Sequence, residues 1–247
     1  VGTYPFRHIP DSGAQDLDAH AARLGIERVI VSRFEDLFQQ NAWESWLGWV
    51  GALRILPRLE PWPVVNPPEP GELTRLQALC RQGGPRGVRL LPNYHGYDLS
   101  DPAVDDLMAL AGEHDLVVQV FQRIADERQH WMLRVPPVPT EALAAFAARH
   151  PSSAILLSAV DGLIGNAGAF AAAPKVRLDL SRMRGPVFAL EHLLQCLPAE
   201  RLVFGSLWPL QLTEATLWQV QAARVDAADR AAVLAGTFRA LLADARR

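Results

Sequence analysis

Cysteine is scarce, with only Cys80 and Cys196 in 247 residues. Without the short spacing of metal thiolates they exclude a zinc ribbon and a disulfide-dense scaffold. Both lie in stretches of helical periodicity and read as buried free thiols. Charge of either sign is also in short surplus, the formal net value being −3. Nothing in that balance draws the chain to nucleic acid or to an anionic membrane surface, so neither is an expected partner. No apolar run approaches the roughly 20 residues that a spanning helix needs. With no charged-then-apolar leader either, a cytoplasmic location is the expectation. No Gly-X-Gly-X-X-Gly follows any strand-like run, which argues against an open dinucleotide-binding sheet. The chain does not begin with Met, and Val1-Gly2 reads as the end of a first strand truncated upstream.

What is present is ordinary globular composition, 49% apolar and 21% charged, arranged with a regular rhythm. Short apolar runs at Arg28–Val31, Arg58–Val65, Gly87–Leu91, Leu116–Phe121, Ala154–Leu157, Val176–Leu180 and Leu202–Phe204 read as buried strands. Between them lie stripes at helical spacing: Leu17, Ala21 and Leu24; Trp43, Trp46, Leu47 and Val50; Leu73, Leu76 and Cys80; Val104, Leu107, Met108 and Ala111; Leu143, Phe146 and Ala147. Gly25 ends the first stripe, Pro70 suits the first turn of the third, Asp101-Pro102 caps the fourth, and Thr140 caps the fifth. A short helix from Leu163 to Ala172, another from Val187 to Leu197, and one or two between Ala215 and Leu242 complete the series. Such alternation implies parallel strands joined by right-handed crossovers. Seven units plus a truncated first make one closed (β/α)8 barrel over residues 1–247.

In such a barrel the reactive groups sit at the carboxyl ends of the strands. The polar residues expected there are Arg7 and His8 in the opening loop, Arg89, and Tyr94, His95 and Tyr97 just beyond it. Gln119, Gln122 and Arg123 follow, then Asp126 and Arg128 in the long loop to Pro139, and Asp179, Ser181 and Arg182 near the seventh strand's end. Arginine forks bind carboxylates bidentately, and a neutral histidine beside them can move a proton. Structural roles stand beside these functional ones. His95 suits a hydrogen-bonded loop position, Arg89 a buried ion pair, and Arg123, Asp126 and Arg128 a loop clasp. Asp161 and Asp179 can be bases or turn residues. Ser206 lacks the turn and the base of a serine nucleophile. Trp43, Trp46 and Trp49 read as core and helix packing first, and as a contact in a homo-oligomer second.

The phrase Arg201-Leu-Val-Phe-Gly-Ser-Leu-Trp-Pro209 resembles the last barrel strand of the amidohydrolase superfamily, in the amidohydrolase-related branch close to aminocarboxymuconate-semialdehyde decarboxylase. Thr3-Tyr-Pro-Phe-Arg7, Val64-Val-Asn-Pro67, Gly87 to Tyr97, Asp126-Glu-Arg128 and Gly236 to Leu242 extend the resemblance along nearly the whole chain. It implies a barrel of amidohydrolase type. It also implies a divalent ion such as zinc, held by a His-X-His pair on the first strand, one His each from the fifth and sixth, and an Asp after the eighth. In this chain those last three places hold Gln122, Ser158-Ala159 and Leu207, and the first-strand pair would precede Val1. No metal ligand and no cofactor is therefore assigned.

The expected function is a hydrolase or lyase, decarboxylase- or lactonase-like, acting on a small anionic organic compound without the usual divalent site. His95 and Asp179 are the candidate acid/base residues. Arg7, His8, Arg89, Tyr94, Gln119, Arg123 and Arg128 are the candidate substrate-binding residues. The alternative is a catalytically inactive ligand-binding or regulatory barrel. Conventional metal hydrolysis is a third reading, if residues upstream of Val1 bring a His pair near His8 or His95.

Overall fold

The barrel strands are short, from two to five residues each. In the computed structural model, which describes residues 1–39, 42–125, 135–185 and 188–246, they are β1 (Val29–Val31), β2 (Leu59–Pro61), β3 (Gly87–Leu90), β4 (Val117–Phe121), β5 (Ile155–Ser158), β6 (Arg177–Asp179) and β7 (Leu202–Val203). Every pairing is parallel. β1 pairs with β2, and β3 to β7 follow one another in sequence order. A bridge between Val64 and Arg89 links the two groups. The run expected over Arg58–Val65 is interrupted because Pro61 and Pro63 offer no N–H to a ladder. Pairing resumes beyond them, where the Val65 N–H donates to Arg89 O. At the other edge of β1, the Val1 amino group donates to Ser32 O at 2.8 Å. The Phe34 N–H donates back to Val1 O, also at 2.8 Å. Val1 is thus bonded to the segment after β1, whereas Gly2, with φ +93°, turns its N–H to Ser12 O at 2.8 Å.

The helices α1 (Ala14–Arg23), α2 (Glu35–Phe38), α3 (Trp43–Ala52), α4 (Glu72–Arg81), α5 (Pro92–His95) and α6 (Pro102–Glu113) surround the first strands. The later ones are α7 (Thr140–Arg149), α8 (Leu163–Asn166), α9 (Ala189–Cys196), α10 (Thr213–Ala222), α11 (Ala227–Ala231) and α12 (Thr237–Asp244). Strand alternation sends Val88, Leu90, Val118, Val120, Ile155, Leu157, Leu178 and Leu202 outward into one large core with the helix stripes. The α6 stripe expected from the sequence is buried at all four positions, and Asp101 caps it by accepting from the Ala103 N–H at 2.9 Å.

Three local readings change. α4 begins at Glu72 rather than at Pro70, because Gly71 turns the chain in with φ +82°. Thr140 is the first residue of α7, not its cap. Its hydroxyl instead accepts from Gln122 Nε2 at 3.2 Å, which takes it away from the helix N–H groups. Cys80 is half-buried and Cys196 exposed rather than both buried, Cys196 lying at the solvent end of α9.

The opposite strand faces fill the barrel in layers. Near the base, Trp62, Val117, Leu156 and Val203 pack with Leu241 and Leu242 of α12. Above them comes a polar layer of Ser32, Arg89, Gln119, Ser158 and Asp179, and then a second apolar group. Gly87 starts β3 because the Trp62 ring takes the space of a side chain. A Cβ there would lie 2.6 Å from the ring, which is fully buried. The Gly87→Ala variant should therefore lose about 1–3 kcal/mol of stability through overpacking. Gly112→Ala, exposed late in α6 with nothing within 4 Å of its Cβ, should be neutral or gain up to about 1 kcal/mol. Urea midpoints at an unchanged slope measure both.

Candidate functional site at the barrel mouth

The centre of the barrel is built around Arg89. β3 carries its side chain inward, where Nε donates to Gln119 Oε1 at 2.8 Å, Nη1 to Ser32 Oγ at 3.3 Å and Nη2 to Ile30 O at 2.9 Å. Gln119 passes the contact on, donating from Nε2 to Ser158 Oγ at 2.7 Å. One guanidinium thus joins β1, β3, β4 and β5. Burial pulls its pKa down to about 10, against the opposing pull of the Asp179 carboxylate, so it remains a cation at neutral pH. Its carbon lies 5.5 Å from the Phe121 ring centroid, a cation–π contact from below.

Asp179, at the end of β6, is 5% exposed and supplies the layer's negative charge. Its Oδ1 accepts from the Ala159 N–H at 3.2 Å, the Ser181 N–H at 3.0 Å and the Ser181 hydroxyl. Gly205 follows β7 for its sake, since a Cβ there would meet the Asp179 carboxyl carbon at 2.9 Å.

Over this polar layer lie Tyr4, Phe34, Leu37, Leu91, Phe121, Ile124, Ala125 and Ala159, with Val64, Tyr94 and Leu207 against them. They arrive from the ends of most of the strands and from the opening loop. The Tyr4 and Phe34 rings are 4.9 Å apart. Two of the places where the resemblance implies a metal ligand belong to this group, Ala159 and Leu207. Both have left-handed backbone, with φ 56° and 52°, a conformation that costs an L-residue about 1–2 kcal/mol. Gln122, at a third such place, is buried and fully occupied. Its Oε1 accepts from the Asp161 N–H at 2.6 Å and its Nε2 donates to Val138 O at 2.9 Å. It clasps the segment before α7 to the ends of β4 and β5.

At the rim of this group two arginines share one carboxylate. Arg182 Nε donates to Asp161 Oδ1 at 2.7 Å, and Arg123 Nε lies 2.6 Å from Asp161 Oδ2. The Arg182 side chain is 1% exposed, Arg123 15% and Asp161 32%. Burial draws the Arg182 guanidinium below its usual range, against the hydrogen bond and charge of Asp161. Among the described residues its buried Nη2 has no partner. Tyr94 faces the same pair. Burial pushes its phenol up to about 12, opposed by a hydrogen bond from the Ala125 N–H and by the charges of Arg123 and Arg182.

The expected site residues are thus divided among several places. Arg89, Gln119 and Asp179 meet in the interior layer, and Tyr94 and Arg123 meet at the rim. Arg7 and His8 are exposed on the opening loop, and Arg128 lies outside the described residues. His95 stands apart from Asp179, its Nε2 donating to Leu37 O at 3.2 Å, and burial lowers its pKa. Ser32 is the member that the sequence reading did not name. Arg182 was among its strand-end residues and Asp161 among its possible bases, but neither was selected for the site, although they follow β6 and β5 directly. Among the described residues no three His, Cys, Asp or Glu side chains converge as metal ligands would. No helix among them is long and apolar enough to cross a membrane.

Comparison with solved structures places this architecture. An uncharacterized TIM-barrel protein from Bordetella bronchiseptica superimposes with TM-score 0.71 at 15% identity, covering 95% of this chain and 84% of the other. A putative 2-pyrone-4,6-dicarboxylic acid hydrolase from Pseudomonas putida gives 0.63 at 21%, covering 94% and 87%. A 2,6-dihydroxybenzoate decarboxylase from Rhizobium gives 0.62 at 15%, covering 96% and 88%. At these identities the likeness is one of fold. No curated protein matches the chain. The sequence pattern of the Amidohydrolase family, however, matches residues 4–243. The parallel barrel and that match together make the chain a member of the amidohydrolase family.

Proposed function

We propose that this protein is a hydrolase or lyase acting on a small carboxylated organic compound, bound at the barrel mouth without a divalent ion. The observation that carries the reading is the rim cluster. Among the described residues two guanidinium groups face a single carboxylate, and one buried guanidinium nitrogen lacks an acceptor. Among the described residues this leaves an excess of positive charge and a free donor beside a phenol, which is the complement of a carboxylate. Arg123, the more exposed of the two, would make the entering contact, and Arg182 would fix its orientation. The superimposable hydrolase and decarboxylase are named for substrates that carry carboxyl groups, which agrees with that chemistry.

The side chains at the strand ends do not fit a divalent cation. Leu207 offers no donor atom, Gln122 has committed its carbonyl to the Asp161 N–H, and Ser158 Oγ already accepts from Gln119. Among the described residues Asp179 is the remaining carboxylate at that depth, and its Oδ1 is held by three donors. Asp179 is accordingly the candidate base, and Arg89 holds positive charge beside it. The apolar group above them favours a second reading, a barrel that binds the carboxylate without turning it over.

Thermal denaturation with 2-pyrone-4,6-dicarboxylate, 2,6-dihydroxybenzoate and 5-carboxyvanillate tests the carboxylate site. At least one should raise the melting temperature by about 5–10 °C at a hundredfold excess over its Kd. Arg123→Ala should weaken that ligand about 10- to 100-fold. An unchanged affinity in this variant removes the rim cluster from the site. Loss of pyrone absorbance or release of carbon dioxide, dependent on Asp179, separates the enzyme from the binding barrel. Elemental analysis of tag-free protein should find no stoichiometric divalent metal, and chelator dialysis should leave the thermal shift unchanged. A stoichiometric ion lost together with function would overturn the metal-free assignment.

A further inference from the structure

Away from the mouth, the outer face of α3 (Trp43–Ala52) breaks the usual rule for a surface helix. It runs on into a 3-10 turn at Leu53–Ile55. Such a helix should be apolar toward the core and polar toward water. From Trp46 to Leu53 this one has no charged, hydroxyl or amide side chain at all. Its tryptophans are taken up by the chain itself. Trp46 is 4% exposed, the Trp43 indole donates to Glu72 at 2.7 Å, and the Trp49 ring centroid lies 5.5 Å from the Arg33 guanidinium carbon. What remains outside is apolar as well. Leu47 is 51% and Ile55 77% exposed, with Gly48, Gly51 and Ala52 exposed between them.

Nothing within the chain calls for those two glycines. Neither has a left-handed backbone, and a Cβ on either would meet nothing within 4 Å. Alanine would fit at both and hold the helix better. What glycine allows there is the close approach of a second backbone. At about 100° per residue, Glu44, Gly48, Gly51 and Ile55 fall on one line down the outside, with Leu47 and Ala52 on its flanks. Charge marks the two ends of that line, Glu44 at its start and Arg54 at its finish, both exposed. Among the described residues neither of these side chains has an ion-pair or hydrogen-bond partner, unlike Arg33 and Arg58 on either side of them along the chain.

We infer that this face is the contact between two copies of the chain, with their α3 helices packed antiparallel about a two-fold axis. The line is complementary to itself in that arrangement. With Gly48 set opposite Gly51 of the second copy, Leu47 meets the second Ala52 and Glu44 comes beside the second Arg54. The axis makes each of these contacts twice. The glycines let the backbones approach, and antiparallel packing sets opposite ends of the helix dipoles together. Parallel packing would instead place Glu44 on Glu44 and Arg54 on Arg54. An anionic lipid surface would be repelled by Glu44 and held by Arg54 alone. One helix pair is at the small end of stable interfaces, so association in the micromolar range is expected. Arg123, Asp161 and Arg182 do not lie on this face, so the inference stands apart from the carboxylate reading.

Sedimentation equilibrium of the intact protein tests it. The wild type should pass from one chain to two with a dissociation constant of about 1–100 µM. Glu44→Arg and Arg54→Glu each bring like charges together twice and should weaken association about tenfold or more. The variant carrying both changes should recover the wild-type constant to within about threefold, a rescue that requires the two residues to meet across the axis. Gly48→Gln and Gly51→Gln should each abolish the dimer. The thermal midpoint of the dilute protein should stay the same or rise in both, because the new side chain enters open space in the single chain. A wild type that remains one chain up to about 300 µM overturns the proposal, since that is well above the range a small interface allows. So does a dimer that is indifferent to both single charge reversals. A wild type that stays single yet floats with phosphatidylcholine vesicles, and ceases to do so as Leu47→Asp, assigns the face to a lipid surface instead.

Discussion

A guanidinium in the middle of a barrel dictates what its neighbours can be. Arg89 is half-buried inside the barrel, so most of its bonds must be met by the protein. Ser32, Gln119 and the Ile30 carbonyl meet them from β1 and β4. Asp179 offsets the charge from β6. Those residues impose further conditions in turn. Gln119 needs Ser158, and Asp179 needs Ser181, the Ala159 N–H and a glycine at 205. A chain of polar obligations therefore runs round the interior, and most strands contribute one member. Breaking any one of them strands a buried polar group.

The apolar group above this layer follows from the same constraint. A buried cation and carboxylate are stabilised when water is kept from competing for them, and Tyr4, Phe34, Leu91 and Phe121 do this at the strand ends. Leu207 and Ala159 belong to this group in left-handed conformations, with their side chains packed into it. Polar chemistry gathers at the rim, where Arg123, Arg182, Asp161 and Tyr94 meet. Among the described residues the rim leaves Arg182 Nη2 unpaired, whereas the barrel centre pairs the donors of Arg89 and Oδ1 of Asp179.

Much of this was legible in the chain as written. Seven strands and the main helices followed from apolar periodicity, and Asp101-Pro102 announced the start of α6 because an Asp cap acts through its own next residues. Readings of the same local kind failed where a distant partner intervened. Thr140 had the chemistry of a cap, but Gln122 engaged its hydroxyl. Pro61 and Pro63 broke a run that hydrophobicity alone made continuous.

The sequence by itself determined the barrel and the family, because strand and helix periods and the phrase from Arg201 to Pro209 are properties of neighbours along the chain. It is the same resemblance that implies ligands at the places of Gln122, Ser158-Ala159 and Leu207. Only the tertiary structure decided which polar residues share a site. Arg123, Asp161 and Arg182 come from three strand ends, and their pairing arises from the side-by-side order of β4, β5 and β6. His95 and Asp179 looked equivalent as strand-end groups, yet the fold puts one against the Leu37 carbonyl of α2 and the other among the donors of the interior. Side chains at the same depth of a barrel can face inward, upward or outward. That choice rests on packing between segments far apart in sequence, which local pattern does not encode.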